Sequence, residues 1–117
     1  MIVVIFDMTI LPGKREHFDE ANAELTSIVR EVDGFLSMDE FYTETSEKND
    51  RVVINGFFAD AAAVKQWREN PRHHELQRHL RDGILADYRL IVAPVEREYG
   101  LSNRAQAPQD FPEPAGR

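Results

Sequence analysis

One short segment holds most of the residues that could do chemistry. In "QWRENPRHHELQRHL", residues 66–80, one tryptophan and three histidines fall within fifteen residues. Imidazoles can bind a metal ion, accept a proton in catalysis or pack inside a core. The tryptophan supplies either a flat wall for a ligand ring or a large core side chain. Which of these chemistries applies depends on which side chains share a face.

A zinc site is one interpretation, because "HELQRH" is similar to the metalloprotease pattern H-E-x-x-H. That pattern needs histidines at i and i+4, whereas His74 and His79 are five residues apart and Arg78 occupies the i+4 position. Glu75 and His79 have ligand spacing, but no third ligand is evident. Three arginines also surround the pair with positive charge: Arg72, Arg78 and Arg81. The sequence therefore predicts a solvated polar face and no metal site.

Helical geometry separates the three histidines. Leu76 and Leu80 define an apolar stripe, and at 100° per residue His73 lies close to its centre. His74 lies about 140° from that centre and His79 about 80° away. We therefore expect His73 to point inward, and His74 and His79 to face solvent.

Trp67 follows Val64 by three residues and Ala61 by six, which places it on the inward stripe of its own helix. A single tryptophan at this spacing is most often a core residue, and an inward histidine is more often hydrogen-bonded core than a catalyst. The ordinary histidine pKa near 6.5 nevertheless suits His73 to general base catalysis if a cavity reaches it.

Three polar residues interrupt otherwise apolar strands: Asp7, Asn55 and Arg89. Each can face solvent or a dimer surface, which is the favoured interpretation. Each can alternatively supply a polar group to an apolar ligand pocket.

Composition restricts the class of protein. A chain of 117 residues, 42% hydrophobic, fits one domain. The absence of cysteine excludes disulfides and thiolate sites. A net charge of −7 argues against a nucleic-acid or anionic-membrane partner and favours a small-molecule binder or an interaction protein. The apolar start "MIVVIFDMTI" carries Asp7, lacks a basic leader and is too short to span a bilayer, so we expect a cytoplasmic protein.

Periodicity and turn residues predict the elements that position these side chains. In chain order they are a strand from Ile2 to Leu11, a helix from Lys14 to Val32, strands from Phe35 to Glu44 and from Arg51 to Ala59 joined by the polar loop "TSEKND", a helix from Ala61 to Glu69 capped by Asp60, a second helical piece opened by Asn70-Pro71, and a strand from Tyr88 to Tyr99 whose Pro94 needs an edge position or a bulge.

This order predicts an α+β fold, the ferredoxin-like βαββαβ sandwich. The first strand is apolar on both faces, yet the helices can cover only one face of a four-stranded sheet. We therefore expect a homodimer packed through the sheet face. Residues 1–101 form the predicted domain, and the proline-rich residues 102–117 are predicted to be a disordered tail or an arm that crosses to the partner.

The sequence resembles the antibiotic biosynthesis monooxygenase (ABM) superfamily of dimeric α/β barrels. The similar segments are "MIVVIF", "DGFLSMDEF", "DAAAVKQWR" followed by His73 and Gln77, and "DYRLIVAPVEREYG". Together they span Met1 to about Gly100 in the family's order. The resemblance implies a homodimer with a pocket between sheet and helices that binds a small aromatic ligand.

The resemblance also implies an activity. The best-known members oxygenate phenolic, polyketide-like intermediates with dioxygen and without metal, flavin or haem. In that picture Trp67 stacks on the substrate, and His73 accepts a proton or pairs with the anion. Tyr88 or Arg89 stabilises the anion, while Asp7 and Asn55 are further candidates for substrate binding.

Two alternatives stay open. A second branch of the superfamily degrades haem with an Asn, Trp and His set. Trp67 matches that set, but Gln77 stands where the ligating histidine is expected and Asp7 stands where the asparagine is expected. Haem is therefore a minor alternative, with His73 as a substitute ligand. The other alternative is a non-catalytic, small-molecule-binding or stress-related barrel.

Overall fold

The computed structural model describes residues 1–43 and 50–109, which form one antiparallel sheet and a layer of helices. The elements are β1 (Ile2–Ile10), α1 (Arg15–Arg30), β2 (Phe35–Tyr42), β3 (Asp50–Phe58), α2 (Ala61–Glu69), α3 (Pro71–Arg81) and β4 (Leu85–Pro94). The strand order is β2-β3-β1-β4, which confirms the predicted α+β, ferredoxin-like fold. Glu44 and most of the predicted "TSEKND" loop lie outside the described residues. Within the two described ranges, no helix combines the length and apolarity needed to cross a membrane.

The three helices pack on the same face of the sheet. Alternate β1 residues Val4, Met8 and Ile10 are buried beneath them, as the period of two in a strand requires. Phe18 from α1 and Leu80 from α3 are buried in the same layer. Burial of each such side chain contributes about 1.5–3 kcal/mol to folding, so this layer is the main source of stability.

Two side-chain caps fix where α2 and α3 begin. Asp60 Oδ1 accepts a hydrogen bond from the Ala63 amide at 2.9 Å. Asn70 Oδ1 accepts from the amides of Arg72 at 2.9 Å and His73 at 3.1 Å. Both caps satisfy amides that a helix start would otherwise leave without partners, and both predicted caps are confirmed.

The bend between α2 and α3 is a local consequence of Asn70-Pro71. A residue before proline is driven out of the helical region, and Asn70 has an extended conformation with φ −63° and ψ 122°. Proline then occupies the first turn of α3, where its missing amide has no cost. The bend turns α3 back so that His73, near its start, packs against Trp67, near the end of α2.

The last strand differs in extent from its prediction. β4 begins at Leu85, three residues before Tyr88, and ends at Pro94 instead of Tyr99. The end has a clear cause, because Pro94 pairs with Ile2 and β1 offers only Met1 beyond that point. The Val95 amide makes the last contact, donating to the Met1 carbonyl at 3.0 Å. β4 is an edge strand, as Pro94 requires.

The described part of the tail turns back on the segment that follows β4. The Gly100 amide donates to the Asn103 carbonyl at 2.8 Å, and the Glu98 amide donates to Gln106 Oε1 at 2.7 Å. Residues 110–117 lie outside the described residues. The division at residue 101 and the partner-crossing or disordered arm therefore stay predictions.

Candidate functional site

A cavity of about 70 Å³ lies between the sheet and the helices. Its wall is mainly apolar, drawn from β1, β2, β3 and all three helices. The aromatic part consists of Phe6, Phe18, Phe58 and Trp67. Among the described residues, the polar side chains in the wall are Asn22, Thr26, His73 and Gln77. An apolar cavity with a few polar groups is the usual form of a small-molecule site.

Trp67 and His73 form one aromatic corner of this cavity. Their ring centroids are 4.4 Å apart with planes inclined at 54°, and the Phe58 ring lies 5.7 Å beyond the indole. His73 is only 2% exposed, which confirms its predicted inward direction. Neither Nδ1 nor Nε2 of His73 has a hydrogen-bond partner among the described residues. The imidazole is therefore available to a ligand in the cavity.

Burial keeps the His73 imidazole neutral. It lowers the pKa of His73 to about 4, and the nearby charge of His74 acts in the same direction. A neutral imidazole carries one N–H donor and one acceptor nitrogen. Leaving such groups buried without partners costs on the order of 1–3 kcal/mol. A ligand that donates a proton or a hydrogen bond to His73 would recover part of that cost.

The other histidines of the segment do not reach the cavity. His74 and His79 are both exposed, as their helical positions predicted. In the part of the chain that the structure describes, no three His, Asp or Glu side chains come together as a metal site would require.

Three residues predicted as candidates for substrate binding lie on the opposite side of the sheet. Asp7 pairs with Arg89 across β1 and β4, and Asn55 pairs with Ile5 across β3 and β1. These positions alternate with the residues that line the cavity, so their side chains point away from it. Asp7 accepts hydrogen bonds from Arg51 at 3.0 and 2.7 Å, which lower the pKa of the Asp7 carboxyl. The structure therefore places Asp7, Asn55 and Arg89 outside this cavity, on the face that the helices leave open.

Tyr88 lies on the helix-facing side but outside the cavity. It pairs with Met8, and its ring centroid is 5.7 Å from that of Phe6. It lines a neighbouring depression with Gln77 and Leu80. Phe6 lines both the cavity and this depression.

The polar side of the cavity mouth was not predicted from the sequence. Asn22 is buried and its Nδ2 donates to Glu40 Oε1 at 3.1 Å, which links α1 to β2. Outside this contact lies a groove of about 710 Å³ between α1 and β2, which we call the vestibule. One signal was present, because Asn22 follows Phe18 by four residues and so interrupts the apolar stripe of α1. The pairing of Asn22 with Glu40 could not be predicted from neighbouring residues, because the two are 18 positions apart in the sequence.

The cavity does not fit haem. Gln77 lines it at the position where the haem-degrading branch is expected to have histidine, although His73 offers a nitrogen from the same helix. A volume of about 70 Å³ is well below the roughly 300–1,000 Å³ of sites for drug-sized ligands. Haem could enter only if the wall of the cavity moved substantially.

Sequence comparison identifies relatives. Residues 1–79 match the family model described as ABM, antibiotic biosynthesis monooxygenase. A protein of Pyricularia oryzae named jasmonate monooxygenase ABM is 26% identical over 95 residues, which are 81% of this chain and 43% of that protein. The chain thus spans less than half the length of this curated relative.

Solved structures share the fold. An ABM-type structure from Deinococcus radiodurans has a TM-score of 0.74 at 11% identity, covering 86% of this chain and 97% of that chain. SnoaB, a cofactor-independent oxygenase from Streptomyces nogalater, has a TM-score of 0.68 at 13% identity, covering 83% of this chain and 94% of that chain. At such low sequence identity, the similarity to these structures shows a shared fold and nothing about activity. The match over residues 1–79 covers more than half of the sequence, and the chain therefore belongs to the antibiotic biosynthesis monooxygenase family.

Proposed function

We propose that this protein is a cofactor-independent, monooxygenase-like enzyme that oxidises an aromatic, phenolic or polyketide-like small molecule with dioxygen. The observation that supports this most is the Trp67–His73 corner, where a neutral imidazole lies beside an indole in an apolar cavity and has no hydrogen-bond partner in the described part of the chain. The fold shared with SnoaB and the monooxygenase name of the Pyricularia relative also support it.

In the proposed reaction His73 accepts the proton of a phenol or of an enolised anthrone. The resulting anion raises the proton affinity of the imidazole beside it, which offsets the low pKa of the free site. The anion passes one electron to dioxygen, and the two radicals combine to a peroxide that His73 reprotonates. Loss of water then leaves a carbonyl on the ring carbon. One oxygen atom enters the product and the other leaves as water.

The dimensions of the cavity restrict the substrate. A cavity of about 150 Å³ is known to hold benzene, whereas this one measures about 70 Å³. Binding of even one ring therefore requires wall side chains to move. Met38 is the best candidate, because it is half-buried, unbranched and lies where the cavity meets the vestibule. A substrate larger than one ring must extend through this mouth.

Oxygen uptake with a hydroxyanthrone tests the proposal. Dithranol, an electron-rich hydroxyanthrone, should be consumed faster with the protein than in buffer, with chelator present to remove trace metals. Under labelled dioxygen the product should gain one labelled oxygen atom. Heat-treated protein gives the background of spontaneous oxidation. Uptake equal to that background, together with tight ligand binding, would favour the non-catalytic binding role instead.

We also propose that two copies pack through the sheet face that the helices leave open. This face carries Ile5, Val53 and Phe57, which are partly exposed in the single chain, and Phe41, which is 58% exposed. The same face carries the Asp7–Arg51 ion pair, Asn55 and Arg89, and apolar side chains rimmed by polar ones are typical of a protein–protein interface.

Light scattering of the purified protein should therefore give about 27 kDa, twice the chain mass of 13.5 kDa. Val53→Asp places a carboxylate in the centre of the open face and should shift the mass toward the monomer, because an unpaired buried charge is costly. Lys65→Asp, on the exposed side of α2, serves as the control and should remain dimeric. A wild-type monomer at micromolar concentration would contradict the proposed interface.

A further inference from the structure

The apolar cavity and the vestibule adjoin one another. Asn22, Thr26 and Met38 line both of them, whereas Trp67 and His73 line only the cavity. The vestibule is the larger and more polar part, with side chains from α1 and β2. A ligand whose ring lies at Trp67 can therefore extend its remaining atoms along α1, through the vestibule, toward solvent.

A row of polar side chains on α1 follows that path. Asn22, Thr26 and Arg30 are spaced by four residues, which places them along one side of the helix. With a rise of 1.5 Å per residue, the row extends about 12 Å from the buried Asn22 to the exposed Arg30. The row offers hydrogen-bonding groups at the mouth and a positive charge at the outer end.

Arg30 is the vestibule cation that has no ion pair among the described residues. Arg15, the other arginine there, binds Asp19 at 3.0 Å and Asp50 at 3.6 Å and stacks over the Tyr42 ring. Arg30 forms no salt bridge with any residue in the described ranges.

The vestibule acids already have donors. Glu40 accepts hydrogen bonds from Asn22 and Tyr42, and burial together with Glu40 raises the pKa of Tyr42 to about 12. Asp19 is bound by Arg15. Asn22 and Tyr42 are neutral donors, so Glu40 keeps its negative charge at the inner part of the vestibule, and the cation placed to bind a ligand is Arg30 at the outer end.

We propose that the ligand of this site is amphipathic, with an aromatic body in the cavity and a carboxylate end that Arg30 binds in the vestibule. This inference rests on the proposed function, which makes the cavity the substrate site, and it adds the chemical class of that substrate. A guanidinium matches a carboxylate because it can donate two parallel hydrogen bonds. Arg30 is then a specificity-determining residue, at a distance from the oxidised ring.

A matched pair of unreactive probes tests this assignment. 6-Phenylhexanoate and 6-phenylhexanamide share the ring and chain and differ only in the charge of the end group. The chain has one tryptophan, so quenching of its fluorescence reports directly on the cavity. An apolar site alone favours the amide, because a carboxylate loses more hydration on binding. We expect the acid to bind about fivefold more tightly, the ratio given by about 1 kcal/mol.

Three variants assign the preference to Arg30. Arg30→Gln should abolish the preference for the acid while the affinity for the amide stays unchanged, and Arg30→Lys should retain part of it. Arg68→Gln removes an exposed arginine of α2 that lines no described pocket and should behave as wild type. Raising the salt concentration from about 20 mM to about 500 mM should also shrink the preference, since exposed ion pairs are screened.

The outcomes separate this inference from the proposed function. Equal binding of both probes, tighter binding of the amide, or an acid preference that survives in Arg30→Gln overturns the carboxylate assignment and leaves the cavity as a ligand site. Absence of quenching by either probe overturns both the assignment and the aromatic-ligand function on which it rests.

Discussion

Replacing His73 by alanine should lower protein-dependent oxygen uptake by about 10²–10⁴-fold, the contribution typical of a positioned proton acceptor. The expectation follows from the position of the imidazole, which faces the cavity beside Trp67 and has no hydrogen-bond partner among the described residues. Initial rates with dithranol, corrected for spontaneous oxidation, give the comparison. The affinity for an unreactive aromatic probe should change far less than the rate.

Two further variants separate chemistry from packing. His73→Phe keeps a ring against Trp67 and should fold normally, yet it should lose activity to the same degree as His73→Ala. His74→Ala changes an exposed neighbour on the same helix and should be nearly silent in activity and in melting temperature. If His73→Phe retained wild-type rates, or if His73→Ala melted early but turned over normally, His73 would be a core residue and not a catalyst.

The features predictable from sequence are those set within a few residues. The inward direction of His73 followed from its spacing to Leu76 and Leu80. The structure confirms it, because only 2% of His73 is exposed to solvent. The Asp60 and Asn70 caps are likewise local, since each side chain accepts from amides two or three residues ahead. Short-range geometry of this kind depends little on the rest of the chain.

The features that sequence did not predict depend on long-range pairing. Asp7 alternates with Phe6 and Met8 along β1 and so lies on the other face of the strand. Both faces of β1 are apolar, however, and the sequence does not indicate which of them the helices cover. Asn55 and Arg89 then depended on the register of β3 and β4 against β1. The Asn22–Glu40 contact joins residues 18 apart in sequence. The polar mouth therefore emerged only with the tertiary structure.

Lowering the pH should destabilise the protein in a window that His73 defines. The pKa of His73 is lowered from 6.5 to about 4 in the folded state by burial and by the charge of His74. Between these values the unfolded chain binds a proton that the folded protein excludes. The contribution of neutral His73 to the free energy of unfolding is therefore fully present above about pH 6.5 and falls as the pH drops toward 4. Below pH 4 this contribution changes no further. The total loss is about 3 kcal/mol, from 1.36 kcal/mol for each pKa unit.

Denaturant unfolding of wild type and His73→Phe across this range measures the contribution. The free energies of unfolding should diverge between about pH 7 and pH 4, with wild type losing about 3 kcal/mol more than the variant. Asp7 and Glu24 also have lowered pKa values, through Arg51 and Arg72, but wild type and His73→Phe share both ion pairs, so their effect cancels in the comparison. His79→Gln, at an exposed position, should follow wild type. Parallel curves for wild type and His73→Phe would mean that His73 is protonated as readily in the folded protein as in the unfolded chain. The neutral imidazole that the proposed proton transfer requires would then be the minor form near pH 6.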